Sequence, residues 1–476
     1  MQKRDMKKLA ITSLVMMSLL AGCAVGPKYR KPIVQPPAVF RGSADPAAAA
    51  TPDPNSLADL KWFEVFKDER LQELVRTALA QNYDLREAVA RVNAARANLG
   101  ITRADQFPTL TAGVDVTSSR SSAASIPIPG VNGSERTFGS VVLNMLSFEI
   151  DIWGRLRRAT EAARADLLAT EENRKAVITT LVGDITTAYF NLLELDAELE
   201  IDRRTLATRE ESLRLINVRQ QGGVATMLDV RQAEQLVYSA TQTIPDTERR
   251  IEQTENQISL LLGLNPNAVT RGRRLTEQEQ PPAVPPGLPS SLLERRPDIR
   301  AAEQNLIASN AIIGVAKAAY FPQISLTGLF GFESNQLSSM FTSPSRTWQF
   351  VPQVTMPIFN AGRIRSNVKL AQAQQQIALV QYERSIQTAF REVSDALVQY
   401  RKIREIRTQR EQLVTTLQDR SRLAYLRYRG GVDTLLNALD ADRDLFDAEL
   451  NLTQTKRDEL LSIVQLYKAL GGGWQQ

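Results

Sequence analysis

The stretch Arg427–Asp442 reads Arg-Tyr-Arg-Gly-Gly-Val-Asp-Thr-Leu-Leu-Asn-Ala-Leu-Asp-Ala-Asp and lies between two long helical patterns. Its Gly430-Gly431 pair is the only strong helix breaker between Ile364 and Leu470. Glycine ends helices well because it adopts the left-handed backbone conformation without a Cβ clash. The stretch therefore predicts the tight turn of a helical hairpin, with one very long helix running in and another running back.

The same turn occurs earlier in the chain, as Arg219-Gln-Gln-Gly-Gly-Val-Ala-Thr-Met-Leu-Asp229, 208 residues before its counterpart. A Phe-Pro pair also occurs twice, at Phe107-Pro108 and at Phe321-Pro322, with a separation of 214 residues. An ordered series of matches at two similar offsets indicates an internal duplication, with a short insertion or deletion between the copies.

The segments that follow the two Phe-Pro pairs have the pattern of β-strands. Apolar residues there change from helical spacing to alternation with polar ones, over residues 110–117 and 324–333. A polar loop and a second alternating segment follow in each copy, although Asn144 interrupts the apolar face of segment 136–150. Each copy therefore predicts one β-hairpin.

The four predicted strands have the length and the single apolar face of strands that cross a bilayer in a closed barrel. The smallest such barrels have about eight strands, so the strands of one chain cannot close a barrel. Two, three or four copies would supply about 8, 12 or 16 strands. A soluble sheet is the alternative, but the sequence leaves no apolar helix to cover its apolar face.

Two segments without proline, Arg155–Gln221 and Arg363–Arg429, predict the long helices. Apolar residues recur in both at heptad-like spacing, which predicts coiled-coil packing. Each would be about 100 Å long at the usual rise per residue. Return helices are predicted over 226–262 and 434–470, and Pro245 is expected to kink or break the first of them. The carboxylates scattered along these helices are interpreted as solvated faces.

The N-terminus has the pattern of a lipoprotein signal. Four basic residues precede the apolar segment Leu9–Leu20, which is too short to span a bilayer. The segment ends in Leu20-Ala21-Gly22-Cys23, which resembles a bacterial lipobox, where cleavage precedes the cysteine that is then acylated. Cys23 is the only cysteine and the predicted lipidation site. An ordinary signal peptide that happens to contain a cysteine is the alternative.

Composition argues against several classes of function. The formal charge is +5, of which the basic signal region carries +3. The remaining +2 is too little positive charge to indicate a nucleic-acid-binding surface. It contains no histidine, which removes the commonest general base and the commonest metal ligand. It has no Ser-His-Asp set and no phosphate-binding glycine loop. The sequence therefore predicts a protein that is not an enzyme and that uses no metal and no cofactor.

Helical spacing predicts an amphipathic helix over Leu60–Asn82 and a second helix over Asp84–Gln106, capped by Asp84. The predicted organisation is a signal peptide (1–22), a lipidated extended arm (23–59), a first repeat (60–264) with a β-hairpin (107–150) and a coiled-coil hairpin (155–262), a Pro-rich linker (265–297), and a second repeat (298–476) with a β-hairpin (321–359) and a coiled-coil hairpin (363–470).

The ordered set of motifs resembles the TolC-type outer-membrane factors, in the lipoprotein branch that includes OprM and NodT. The resemblance covers essentially the whole mature chain. Besides the lipobox and the paired Phe-Pro strand starts, it rests on Val25–Tyr29, on Trp62 with Phe66, on Arg295–Arg300, on Tyr428–Ala441 and on Tyr467–Trp474.

The resemblance implies an α+β membrane protein, anchored by lipid in the outer membrane and extending into the periplasm. It implies a homotrimer, with a 12-stranded outer-membrane β-barrel continuous with a long periplasmic α-helical coiled-coil barrel. Such ducts passively export drugs or other small molecules delivered by a periplasmic adaptor and an inner-membrane pump, usually of the resistance-nodulation-division type. Two alternatives stay open: a duct for type I protein secretion, and a lipid-anchored coiled-coil scaffold without a pore.

The hairpin turns supply the candidate functional residues. Asp433 is predicted to form a ring of carboxylates, one per chain, at a periplasmic gate, because like charges held close together repel and resist ionisation. An equal alternative is that Asp433 caps the return helix. The first copy has Ala225 at the corresponding position. The resemblance also implies that the adaptor contacts the turn residues, which are Gly222, Gly223, Val224, Gly430, Gly431 and Val432.

Overall fold

The computed structural model describes residues 24–37, 40–42, 57–120, 135–279 and 289–474. The predicted signal peptide and Cys23 lie outside the described residues. The helices of the described part are α1 (Trp62–Val65), α2 (Glu69–Gln81), α3 (Tyr83–Ala104), α4 (Arg155–Gln221), α5 (Met227–Leu262), α6 (Pro289–Arg295), α7 (Pro297–Ala318), α8 (Arg363–Arg429) and α9 (Leu435–Ala469), and the strands are β1 (Leu110–Arg120), β2 (Glu135–Glu149), β3 (Gln323–Ser334) and β4 (Arg346–Thr355).

The four strands form one antiparallel sheet in the order β1-β2-β3-β4. Both predicted β-hairpins are therefore present, and they lie side by side through the pairing of β2 with β3. The register shifts between Met145 and Phe148, which is where the alternation in the sequence is least regular. Apolar side chains cover an exposed face of the sheet: Val114, Val116 and Trp348 are 74%, 75% and 73% exposed.

The predicted long helices are confirmed. The helices α4 and α8 each contain 67 residues and have the predicted bounds. An apolar stretch of α4 could cross a bilayer by length and composition, but 61% of it is buried inside the protein, as in a core helix. The long apolar pattern therefore serves packing between helices.

The helix α5 continues through Pro245, so the expected break does not occur. Proline removes one backbone hydrogen bond, which would have gone to the carbonyl of Thr241. Both residues are exposed, so water reaches the carbonyl that is left free. Packing along the buried side of α5 then holds the helix together.

The predicted helix Leu60–Asn82 is two helices, α1 and α2, which are separated at Phe66–Asp68. The helix α2 starts after Asp68, whose carboxylate accepts hydrogen bonds from the backbone N–H groups of Arg70 and Leu71 at 2.9 and 3.3 Å. The prediction that Asp84 caps the next helix is also wrong. The Asn82 side chain accepts the hydrogen bond, from the N–H of Leu85 at 3.0 Å.

The described residues form two compact units, and each unit combines matching segments of both copies. Of the described residues, the first unit contains those up to Pro32 together with those of Asn93–Ala169 and Ala302–Tyr382. It holds the sheet and an alanine-rich contact between α4 and α7. The second contains Ile33–Val92, Thr170–Ala301 and the chain from Glu383 onward. It holds the hairpin turns and most of the buried core.

Carboxylates on the long helices are not uniformly solvated, contrary to the sequence-based interpretation. Glu194 and Asp202 on α4 are each 1% exposed, and Glu459 on α9 is 2% exposed. Arg407 of α8 donates to Glu459 at 2.8 Å. The physical reason is that α4 has neighbours on several sides: four consecutive residues, Leu192 to Leu195, are all buried.

Candidate functional site

The two hairpin turns have the same backbone geometry. In the first, Gly223 has φ of 74° and the N–H of Val224 donates to the carbonyl of Arg219 at 2.8 Å. In the second, Gly431 has φ of 73° and the N–H of Val432 donates to the carbonyl of Arg427 at 3.1 Å. Both long helices thus end in a left-handed glycine, as the sequence predicts.

A shared hydrophobic cluster lies beneath the two turns. Its buried members come from all four helices of the two hairpins, so the turns are held on one packed base. The buried members are Ile216, Val230, Ala233, Tyr428, Leu435, Ala438 and Leu439.

Apolar side chains at the turns themselves are exposed. Val224 and Val432 are 69% and 66% exposed. Next to them, Leu228 and Leu436 are 66% and 52% exposed. Each turn therefore presents a small apolar surface to solvent.

The helices that follow the turns begin differently in the two copies. Thr226 and Asp229 form a capping box. The N–H of Asp229 donates to the Thr226 hydroxyl at 3.2 Å, and the N–H of Thr226 donates to the Asp229 carboxylate at 2.7 Å. Thr434 holds the same N-cap position before α9, but its side chain makes no capping hydrogen bond. At the second turn, the N–H of Thr434 donates to the Asp433 carboxylate.

Asp433 is at the centre of a small hydrogen-bonding network. Its carboxylate accepts bonds from the Arg427 Nε at 3.0 Å, the Asn437 Nδ2 at 2.7 Å and the Thr434 N–H at 2.8 Å. Arg427, followed by Asn437 and the Thr434 N–H, lowers the pKa of Asp433. The carboxylate is therefore charged at neutral pH and paired within its own chain. It stands one residue before the N-cap, so it is not the helix cap itself.

Sequence reasoning missed a buried ion pair close to the turns. Arg209 of α4 donates to Asp442 of α9 at 2.9 Å, and their side chains are 4% and 10% exposed. The Arg209 guanidinium also lies over the Phe446 ring, 5.1 Å from its centroid. A signal was present, because Asp442 falls on the same helical face as the buried Leu435 and Leu439.

The chain just after the predicted lipidation site lies on the first compact unit. The Val25 N–H donates to the carbonyl of Trp153 at 2.9 Å, and the Asn310 Nδ2 donates to the carbonyl of Pro27 at 3.1 Å. Tyr29 donates to Glu303 at 3.2 Å. These contacts hold the start of the arm along α7.

Among the described residues, no group of three or more carboxylate, cysteine or histidine side chains has the geometry of a metal site.

Comparison with known proteins gives one consistent answer. The family described as outer membrane efflux protein matches residues 74–264 and 288–472. The solvent efflux pump outer membrane protein SrpC of Pseudomonas putida is 39% identical over 476 residues, which cover 98% of each chain. The outer membrane protein OprJ of Pseudomonas aeruginosa is 37% identical over 470 residues, which cover 98% of this chain and 96% of OprJ.

A solved structure agrees with the sequence comparisons. The open state of the MtrE outer membrane channel of Neisseria gonorrhoeae matches with a TM-score of 0.85 and 32% identity. The match covers 95% of this chain and 99% of the MtrE chain. The two family matches fall on the two copies that the sequence indicates.

Proposed function

The chain belongs to the outer membrane efflux protein family, and from that membership we propose that three copies form the exit duct of a tripartite efflux system. The chain is an outer-membrane efflux channel. In the proposed assembly it works passively: it receives drugs or other small molecules from a periplasmic adaptor and an inner-membrane pump of the resistance-nodulation-division type.

The open sheet is the observation that carries the proposed assembly. Its outer strands, β1 and β4, have no pairing partner on their outer sides among the described residues. Unpaired backbone groups cost several kcal/mol each in a bilayer, so a membrane sheet has to close. Pairing β4 of one copy with β1 of the next closes it, and three copies of a four-stranded sheet supply 12 strands.

The duct is tested by conductance of the detergent-purified full chain in planar bilayers, after its oligomeric mass has been measured. We expect a trimer that gives discrete channels. A well-folded oligomer without channels would favour the lipid-anchored scaffold instead. The chain can also be expressed in a host that lacks its own duct. If it restores protein secretion there but not drug or solvent resistance, the duct serves type I secretion.

The pair of Arg427 and Asp433 is the proposed periplasmic gate, repeated once per chain. Both side chains lie at the second turn, and their 3.0 Å contact locally neutralises the Asp433 carboxylate of that chain. The pair, with the Asn437 side chain and the Thr434 N–H, holds the second turn in one conformation. Loss of the Asp433 carboxylate would release these contacts and loosen the turn at the proposed gate.

Replacement of Asp433 by alanine tests the gate, and Asp444→Ala is a matched control. Asp444 forms a comparable exposed pair with Arg420 at 2.6 Å, further along the same hairpin. We expect Asp433→Ala channels to be open more often than wild-type channels, and Asp444→Ala channels to resemble the wild type. Equal opening in all three proteins would keep the duct and remove Asp433 as its gate.

The turns and the N-terminus supply the other proposed contacts. Gly222, Gly223 and Val224, with Gly430, Gly431 and Val432, are the proposed adaptor-contact surface, which their exposed valines support. Cys23 is the proposed lipid anchor. Mass spectrometry of the mature N-terminus tests it: a diacylated or triacylated Cys23 is expected, and an unmodified cysteine would contradict the proposal.

A further inference from the structure

Three carboxylates form a row on the buried side of α4, at Glu194, Glu198 and Asp202. A spacing of four residues places successive side chains beside one another on a helix. Glu194 and Asp202 are each 1% exposed, and the Glu198 side chain is 12% exposed. Each of the three has one buried oxygen without a hydrogen-bond partner. Buried carboxylates normally have their oxygens satisfied, so this row requires an explanation.

The positive charges that face the row are too few to balance it. Arg250 of α5 donates to the Glu198 Oε1 at 2.9 Å. Arg457 of α9 lies 3.4 Å from the Glu194 Oε2, but it makes a shorter bond of 2.7 Å to Asp458.

Asp202 has only neutral partners within hydrogen-bonding distance. Thr247 of α5 donates to its Oδ2 at 2.9 Å. Apart from Glu194, Arg250 and Arg457, the polar residues that line the groove at Glu194 are uncharged, and they are Asn191, Gln253, Thr254 and Gln257. Three buried carboxylates thus face two guanidinium groups, one of which is shared with a fourth carboxylate.

Glu194 and Glu198 are one turn apart on the buried side of α4, so their carboxylates are neighbours on one helix face. Two carboxylates only accept hydrogen bonds, so this arrangement is favourable only when one of them carries a proton. Burial, with the nearby Glu198 charge, raises the pKa of Glu194 to about 7, against the opposing effect of Arg457 and Arg250.

We propose that Glu194 and Glu198 share one bound proton in the folded protein, and that this row is a proton-binding site between α4, α5 and α9. The ligand is the proton itself, because no metal-binding group is present among the described residues. The bound proton lets the two carboxyl groups bond to each other and removes the excess charge. The inference concerns the folded helices alone and does not depend on the proposed efflux function.

The site makes stability depend on pH with a definite sign. The folded-state pKa of Glu194 is raised above the ordinary value of about 4.3. The stabilisation of the folded protein by the bound proton is therefore complete below that ordinary value and is lost as the pH rises through about 7. Deprotonation leaves two buried like charges side by side and loosens the packing of α4 against α5 and α9.

The test is thermal unfolding of the detergent-purified full chain, for wild type, Glu194→Gln and Glu210→Gln, at pH 5.5 and pH 8.5. Glutamine stays neutral and can donate to Glu198, so we expect Glu194→Gln to lose less stability than wild type between the two pH values. Glu210 is exposed on the same helix and serves as the control, with wild-type pH dependence. Equal destabilisation of Glu194→Gln at both pH values would overturn the proposal, because it would mean that Glu194 is the ionised partner of Arg457.

Difference infrared spectroscopy gives an independent readout that does not require the variant to be stable. We expect a protonated-carboxyl carbonyl band in the wild type that titrates near neutral pH. The band should remain in Asp202→Asn, which keeps the glutamate pair, and disappear in Glu194→Gln, where the glutamine amide replaces the bound proton as the donor to Glu198. The proposal is wrong if the wild type shows no protonated carboxyl group above pH 6.

Discussion

The second glycine of each turn is the residue whose backbone requires glycine. Gly223 and Gly431 have left-handed φ values of 74° and 73°, a conformation that costs other residues about 1–2 kcal/mol. Gly222 and Gly430 have no such φ, and a Cβ there would make only ordinary or slightly tight contacts. The sequence predicts the turn from the pair, but only the backbone geometry distinguishes the two glycines.

Asp68 is a residue whose importance the sequence does not reveal. Its carboxylate accepts hydrogen bonds from the Tyr189 hydroxyl at 3.0 Å, the Gln278 Nε2 at 2.8 Å and the Arg273 N–H at 3.1 Å, besides starting α2. These partners are more than 100 residues away in the chain, so no local pattern brings them together. The apolar spacing predicts a helix in this region but does not indicate these polar contacts.

We predict that Asp68 stabilises the fold at neutral pH and loses this effect in acid. Burial alone would raise the pKa of Asp68, but the hydrogen bonds from Gln278, Leu71, Tyr189 and Arg273 outweigh it and lower the pKa. A lowered folded-state pKa gives stability that is complete above the ordinary value of about 3.9 and is lost as the pH falls through the folded value. Asp68→Asn is expected to cost about 1–3 kcal/mol at pH 7, because the donors lose a charged acceptor.

Chemical unfolding from pH 3 to pH 7 measures this effect, with Asp419→Asn as the control. Asp419 pairs with Arg422 on an exposed face of α8, and their side chains are 59% and 61% exposed. The gap between wild type and Asp68→Asn should narrow as the pH falls, while the control stays near wild type throughout. A gap that is constant over the whole range would show that Asp68 acts by shape and not by charge.

At the scale of the elements, the sequence is most informative where a pattern is long. The helices α4 and α8 have the predicted bounds, because each is a segment of 67 residues without proline in which the helical spacing of apolar residues recurs many times. The short region Leu60–Asn82 was predicted less well, because its apolar spacing does not show that Asp68 interrupts the helix. The break expected at Pro245 does not occur, because the carbonyl that proline leaves without a hydrogen bond is exposed to water. The sequence does not show this exposure.

Helical periodicity also predicts which face is buried, but not which charges are buried with it. Glu194 lies between the buried Leu193 and Leu195, and Asp202 lies beside the buried Ile201. Their partners come from α5 and α9. A charged residue inside an apolar stripe is the available signal, and it identifies Asp442 as well.

The ion pair of Arg209 and Asp442 is predicted to fix α4 against α9 below the turns. Both side chains are almost fully buried, so removal of one partner leaves an uncompensated charge. We expect Arg209→Met to destabilise the protein by about 3–5 kcal/mol. The double replacement Arg209→Met, Asp442→Leu should recover most of that loss, because no buried charge remains.

Chemical unfolding of the two single variants and the double variant measures the coupling. Arg203→Met is the control, because Arg203 is also on α4 and pairs with Glu248 of α5, and their side chains are 61% and 45% exposed. Its loss should be about 1 kcal/mol or less. If the double variant is as unstable as the sum of the singles, packing around Arg209 outweighs its charge.

At the scale of the whole molecule, the duplication explains why one chain has an incomplete sheet. Each copy supplies one hairpin, and the two compact units each draw on both copies. The sequence could predict the number of strands per chain and the need for more than one chain. It could not choose among two, three or four copies, because that number depends on the tilt and register between chains, which a single chain does not contain.

The exposed apolar face of the sheet gives the last prediction, which concerns assembly in the membrane. Val114 and Asp115 are neighbours on β1, and alternation places them on opposite faces. Val114 is 74% exposed. If lipid covers its face, Val114→Arg should cost up to about 2–4 kcal/mol per chain near the middle of the bilayer. Asp115→Arg changes the opposite face, which would line water, and should assemble normally while it alters conductance. The measurements are the fraction of heat-resistant oligomer in outer membranes and the single-channel conductance of each variant. Normal assembly of Val114→Arg together with failure of Asp115→Arg would reverse the two faces of the sheet.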